Sequence, residues 1–226
     1  MKKIKLYLIF TLISIMITSC ATSNNTRASL YPKMYEEQPV SILVMPPINN
    51  TTNVEAKELL YTSISHPLIE AGYYVVPPHI AMEFLKAESA YDSERFIDGN
   101  LSMFGKIFGV DAVVFSIIDK WVKVGLGIQT QITYMIKSTE TNEVLFERTC
   151  NLYLDLSVNS GTGGALGALM DLAASAILTA ATDHIAAARK CNNYIFTDIP
   201  RGKYNPSHGL DKEINAAERN ANVTVK

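Results

Sequence analysis

Apolar positions along the chain change their spacing several times, and each spacing predicts an element. Residues 41–45, SILVM, form a continuous apolar run closed by Pro46 and Pro47, which suits a strand covered on both faces. Asn49, Asn50, Thr51 and Thr52 then supply turn and helix-cap side chains. Over 56–71, Leu59, Leu60, Ile64, Leu68 and Ala71 recur at the spacing of one helical face. Pro67 is expected to kink that helix and Gly72 to end it. YYVV, residues 73–76, is the next strand, stopped by Pro77 and Pro78. Strand, helix and strand of these lengths predict a βαβ unit, two parallel strands joined by a right-handed crossover.

Further along, 79–88 and 101–108 read as helices, the latter with Gly109 past its end. Residues 110–121, VDAVVFSIIDKW, are the strongest strand signal, rich in valine and isoleucine. Segments 129–137 and 143–157, joined by a polar turn at 139–142, complete an antiparallel meander. A helix is predicted over 165–188, built almost entirely of small and apolar residues with Asp171 and Asp183 as its clearest charged interruptions. The fold class is therefore α/β: a mixed sheet with an N-terminal βαβ unit, an antiparallel meander and a long small-residue C-terminal helix. Small side chains let a neighbouring backbone approach closely, so two readings of that helix stand open. It lies tightly on its own sheet, or Ala173, Ala176, Ala180 and Ala187 face another subunit, and a homo-oligomer is compatible with the second.

The first forty residues follow a different rule. Lys2, Lys3 and Lys5 precede an uncharged stretch, 6–17, of about a dozen residues, shorter than the roughly 20 that span a bilayer as a helix. Ile17-Thr18-Ser19-Cys20 then resembles a bacterial lipobox, with an apolar residue three places before the cysteine and a small one beside it. Residues 1–19 read as a lipoprotein signal peptide, and cleavage would place Cys20 first, its sulfur and new amine free for acylation. Two or more acyl chains hold a protein stably to a membrane where one does so only marginally. Ala21 stands where an aspartate would favour inner-membrane retention, so the expected location is the periplasmic face of the outer membrane. Residues 20–40, rich in Ser, Asn, Thr and charge, read as a flexible tether reaching roughly 25 Å. The folded domain is expected over 41–200 and a mobile polar tail over 201–226.

Composition narrows the chemistry. The chain has 226 residues, 48% of them apolar, and a net charge of −2; a large core is within reach, and a nucleic-acid footprint or polybasic membrane face is not indicated. SGTGGALG, 160–167, lies between a strand and a helix but lacks the lysine and spacing of a phosphate-binding loop. His66, His79, His184 and His208 are scattered without metal-ligand spacing. Asp183 and His184 are adjacent and diverge around a helix; they read as a helix-terminal charge group with Arg189 and Lys190. No catalytic set, metal or cofactor is implied. Cys150 and Cys191 remain as a candidate disulfide pair in an oxidising compartment, or as two buried thiols.

The succession SILVMPPINNTT, SHPLIEAGYYVVPP, FGVDAVVFSIIDKW, a long strand pair, a small-residue helix and IPRGKYNP resembles the neisserial genome-derived-antigen family of lipoproteins, a domain-of-unknown-function family, over about 41–211. The resemblance implies a fold similar to the amino-terminal domain of TolB and to the core of curli-secretion-channel lipoproteins. It also implies a periplasmic lipoprotein complex that includes a channel-type lipoprotein of that kind. It carries no catalytic residue, since the matched prolines stop strands and the glycines end helices. The expected function is that of a lipid-anchored, non-enzymatic subunit of such a complex. The alternatives are an activator of a periplasmic cell-wall enzyme, or a hydrolase or small-ligand-binding protein.

Overall fold

A computed structural model describes residues 25–87, 92–156 and 184–225. Two short helices, α1 (Arg27–Leu30) and α2 (Pro32–Glu37), come first, followed by β1 (Ser41–Val44), β2 (Ile48–Asn49), α3 (Glu55–Glu70) and β3 (Tyr74–Val75). After them come α4 (Pro78–Ala87), α5 (Glu94–Ile97) and α6 (Ser102–Phe108). The meander is β4 (Ala112–Val124), β5 (Gly127–Ser138) and β6 (Val144–Asp155). A helix whose described part covers 184–196, here α7, and β7 (Asn220–Val225) close the chain.

One seven-stranded sheet carries the order β3-β1-β4-β5-β6-β7, with β2 also paired to β4. The predicted βαβ unit is present: β1 pairs parallel with β3, Ser41 opposite Tyr74. On its other side β1 pairs parallel with β4, Ile42 opposite Ala112. The meander is antiparallel, β4 with β5 and β5 with β6. Pro67 lies buried inside α3. Gly109 ends α6 in the left-handed region at φ 65° and its N–H donates to Gly105 O, the arrangement that glycine allows at least cost.

Period-two alternation splits the apolar strands between two cores. Ile42, Val44, Ala112 and Val114 join α3 and α7 on one face, with Leu60, Ile64, Ile195 and Phe196. Leu43, Met45, Val113 and Phe115 join the α4 and α6 layer on the other, with Leu85 and Phe104. In β5 and β6 only one face is filled: Ile132, Tyr134, Cys150 and Leu152 are buried, while Gln131, Thr133, Thr149 and Asn151 stay half-buried opposite.

Two expected boundaries differ. The tether expected over 20–40 is folded from Arg27 onward: Tyr31 and Met34 are buried, and the Tyr31 ring packs 4.6 Å from Phe146. The tail expected over 201–226 ends in β7, which pairs parallel with β6 from Thr149 opposite Asn220 to Leu154 opposite Val225. In both places polar side chains are tied into the domain by groups distant in sequence. Helix α7 also runs past Ala188 to residue 196.

Candidate functional site

Among the described residues a buried polar cluster lies under α1, where the side chains of Arg27, Arg148, Asp198 and Asp211 meet. Thr26 caps α1 by accepting from Ser29 N, and this turn aims Arg27 inward. Arg27 Nη1 donates to Asp211 Oδ2 at 3.0 Å, Nε to Asp198 Oδ1 at 3.4 Å, and Nη2 to the Thr197 carbonyl at 3.0 Å. Arg148, projecting from β6, lies 3.8 Å from Asp198 Oδ2 and donates to the carbonyls of Ile195 and Glu218. Asp211 Oδ2 also accepts from Arg201 N, and Asp198 Oδ2 from Ala217 N.

All four side chains are buried. Two cations face two anions, which makes such burial tolerable. Burial raises the Asp198 carboxyl above its ordinary range, against the pull of Arg148 and Arg27. Beside the cluster, burial pushes the Tyr31 hydroxyl up to about 12, with Arg148 acting in the opposite direction. Every strong donor of the two guanidiniums that is engaged serves this chain's own backbone or carboxylates, so the cluster works as a clasp joining α1, β6, the end of α7 and the 211–217 segment.

A second polar set runs along α7. Trp121 Nε1 donates to His184 Nδ1 at 2.7 Å, and the two rings stack. The Tyr134 hydroxyl donates to Asn192 Oδ1 at 2.7 Å, and Asn192 Nδ2 donates to Ser63 Oγ. Cys191 Sγ lies 3.1 Å from Thr130 Oγ1 and 3.6 Å from Cys150 Sγ. Both cysteines are buried free thiols, and burial pushes the Cys191 thiol well up. A cleft of 420 Å³ between α3, α7 and the following loop is lined by Glu70, Asn193, Arg201 and Asn205. Two of its donors serve carbonyls of this chain, Arg201 to Thr197 and Asn205 to Glu70.

The structure thus brings Cys150 and Cys191 together. It places Ala187 in the chain's own core, fully buried, so the expectation that Ala187 faces a second subunit does not hold for that residue. Cys20, Ala173, Ala176, Ala180, the 160–167 glycine segment and Asp183 lie outside the described residues. His184 is engaged with Trp121. His66 pairs with Glu70 across one exposed turn of α3 at 3.6 Å. Among the described residues no group of three or more His, Cys, Asp or Glu side chains is placed to hold a metal, and no helix is long and apolar enough to cross a membrane. The clasp itself escapes sequence reasoning, because Arg27 and Asp211 stand in polar segments with no shared motif. The one available signal was Tyr31 and Met34 at helical spacing within the supposed tether.

Comparison with known proteins gives the family. A sequence model of the family "Putative lipoprotein GNA1162-like" matches residues 30–196. "Putative lipoprotein NMB1124/NMB1162" from Neisseria meningitidis serogroup B (strain ATCC BAA-335 / MC58) is 28% identical over 160 residues, covering 68% of this chain and 72% of that protein. The crystal structure of lipoprotein GNA1162 from Neisseria meningitidis aligns at 25% identity with a TM-score of 0.48, covering 62% of this chain and 97% of that one. A PelC dodecamer from Paraburkholderia phytofirmans aligns at 11% identity with a TM-score of 0.39, covering 71% and 88%.

Proposed function

The chain belongs to the GNA1162-like lipoprotein family, and on that premise we propose that it is a lipid-anchored, non-enzymatic subunit of an envelope complex at the periplasmic face of the bacterial outer membrane. The observation that carries this reading is the family match over 30–196, standing directly behind a lipobox-like Ile17-Thr18-Ser19-Cys20. Acylation of Cys20 fixes the location and restricts the search for partners to the membrane surface, so that tethering raises effective concentration without new contacts.

The polar chemistry supports a positional role. The clasp, the α7 hydrogen bonds and the 420 Å³ cleft engage groups of the chain itself, as a scaffold requires, and Ala187 braces α7 on its own sheet. The partner this reading names is a lipoprotein of the curli-secretion-channel type. Affinity purification from detergent-solubilised envelope, followed by mass spectrometry, tests it. Stoichiometric recovery of such a lipoprotein is the expected result. Recovery of a cell-wall synthase instead, or a solitary monomer, overturns it.

A further inference from the structure

Asn25 is held to the far end of the chain. Its carbonyl accepts from Ala216 N at 2.7 Å, and Arg27 N and Ala28 N donate to the carbonyls of Ile214 and Lys212. Cys20 precedes Asn25 by five peptide links, and extended chain advances at most about 3.6 Å per residue, so their Cα atoms lie within about 18 Å of each other. A lipid on Cys20 is therefore attached within about 18 Å of the point where Asn25 meets Ala216.

Apart from the buried Asp211 and the half-buried Ala216 the 210–219 segment is exposed, and it carries two outward apolar side chains, Leu210 at 80% and Ile214 at 48% exposure. From the position of the chain's tethered end we infer that the 210–219 face lies against the phospholipid headgroup layer, with Ile214 and Leu210 entering its interface. This inference rests on the acylation of Cys20. The face bears Lys212 and Arg219 against Glu213 and Glu218, so it carries no excess positive charge. Tethering and apolar contact hold it, and anionic lipid adds little.

The end of the sheet at the β4–β5 turn then lies farther from the membrane than the 210–219 segment. Thr149 N donates to Arg219 O, and six residues further along β6 Asp155 pairs with Gly127, about 20 Å on at the rise of a strand. Leu126, 69% exposed at the β4–β5 turn, caps this distal end beside Val122 and Val124, which are also exposed.

The test uses the mature acylated protein, its acyl mass verified, in phosphatidylethanolamine–phosphatidylglycerol vesicles containing a headgroup-nitroxide lipid. A fluorophore is placed through Ile214→Cys in one sample and Leu126→Cys in another; Cys150 and Cys191 are buried and do not label in the folded protein. Severalfold stronger quenching at 214 than at 126, little altered when phosphatidylglycerol is omitted, is the expected result. Equal quenching at both sites, or stronger quenching at 126, in an acylated chain overturns this orientation and leaves the lipoprotein reading intact. A mature chain without acyl mass removes the premise and overturns both.

Discussion

Arg27 and Asp211 are separated by 184 positions in the chain, yet Nη1 of one donates to Oδ2 of the other at 3.0 Å. This pair turns what composition presents as two loose ends into one corner of the domain. It also brings the first contact with the fold to Asn25, five residues after Cys20, where the sequence alone allowed a tether of about twenty residues.

Removing one partner should show how much the clasp contributes. Arg27→Met leaves Asp211 buried without its side-chain cation and Asp198 with Arg148 alone, and the cost of such a deletion is about 3–5 kcal/mol. Urea unfolding should show the loss, and hydrogen exchange at the amides of Ala28 and Tyr31 should rise before global unfolding. A variant as stable and as protected as the parent would show that the clasp is not what holds α1.

Gly72 and Gly202 test a close approach between the end of α3 and the loop after α7. Gly72 has φ 95°, and an added methyl would collide with Asn205 N; one on Gly202 would collide with the Gly72 carbonyl oxygen. Gly72→Ala combines an unfavourable backbone with overpacking, together about 2–5 kcal/mol. The midpoint of denaturant unfolding should fall accordingly, whereas Gly109→Ala, where an added Cβ meets nothing within 4 Å, should lose only the smaller backbone contribution.

Much of this architecture is legible in the sequence. SILVM, YYVV and VDAVVFSIIDKW are dense apolar runs flanked by proline or glycine, and all three contribute strands to the parallel part of the sheet. The polar 139–142 turn, between a partly alternating segment and a cleanly alternating one, pointed to the meander. Burial of Arg27 was hidden because it depends on Asp198 and Asp211, far along the chain, and no local period encodes that; Tyr31 and Met34 left only a three-residue spacing as a signal. β7 does alternate, with Ala221, Val223 and Val225 between Asn220, Asn222 and Thr224. Its brevity and polar neighbours made it read as a tail, and only pairing with β6 orders it.

Alkali should weaken the fold through Tyr31. Its hydroxyl is buried with no hydrogen-bond partner and its pKa is raised to about 12 from 10. The unfolded chain therefore loses this proton first. The stabilisation is complete below pH 10 and lost as pH rises toward 12, by roughly 2–3 kcal/mol at the end of that window. Tyr31→Phe should leave neutral-pH stability within about 1 kcal/mol of the parent and flatten the loss in alkali. A steep loss at neutral pH would show that the hydroxyl has a bonding role.

Cys150 and Cys191 present their sulfurs 3.6 Å apart on β6 and α7. In the periplasm a disulfide-donating oxidase should close them before the domain folds around them: two S–H bonds give one S–S bond, and two electrons and two protons reduce the donor's own disulfide. Alkylation of denatured, periplasmically produced protein should reveal both thiols only after reductant. An equal thiol count with and without reductant would contradict closure.

Intact-mass spectrometry of the mature protein taken from its native membrane tests the central claim most directly. The account predicts a chain that starts at Cys20 and carries diacylglyceryl and further acyl mass on that residue. An unmodified polypeptide that partitions into the aqueous phase would contradict it.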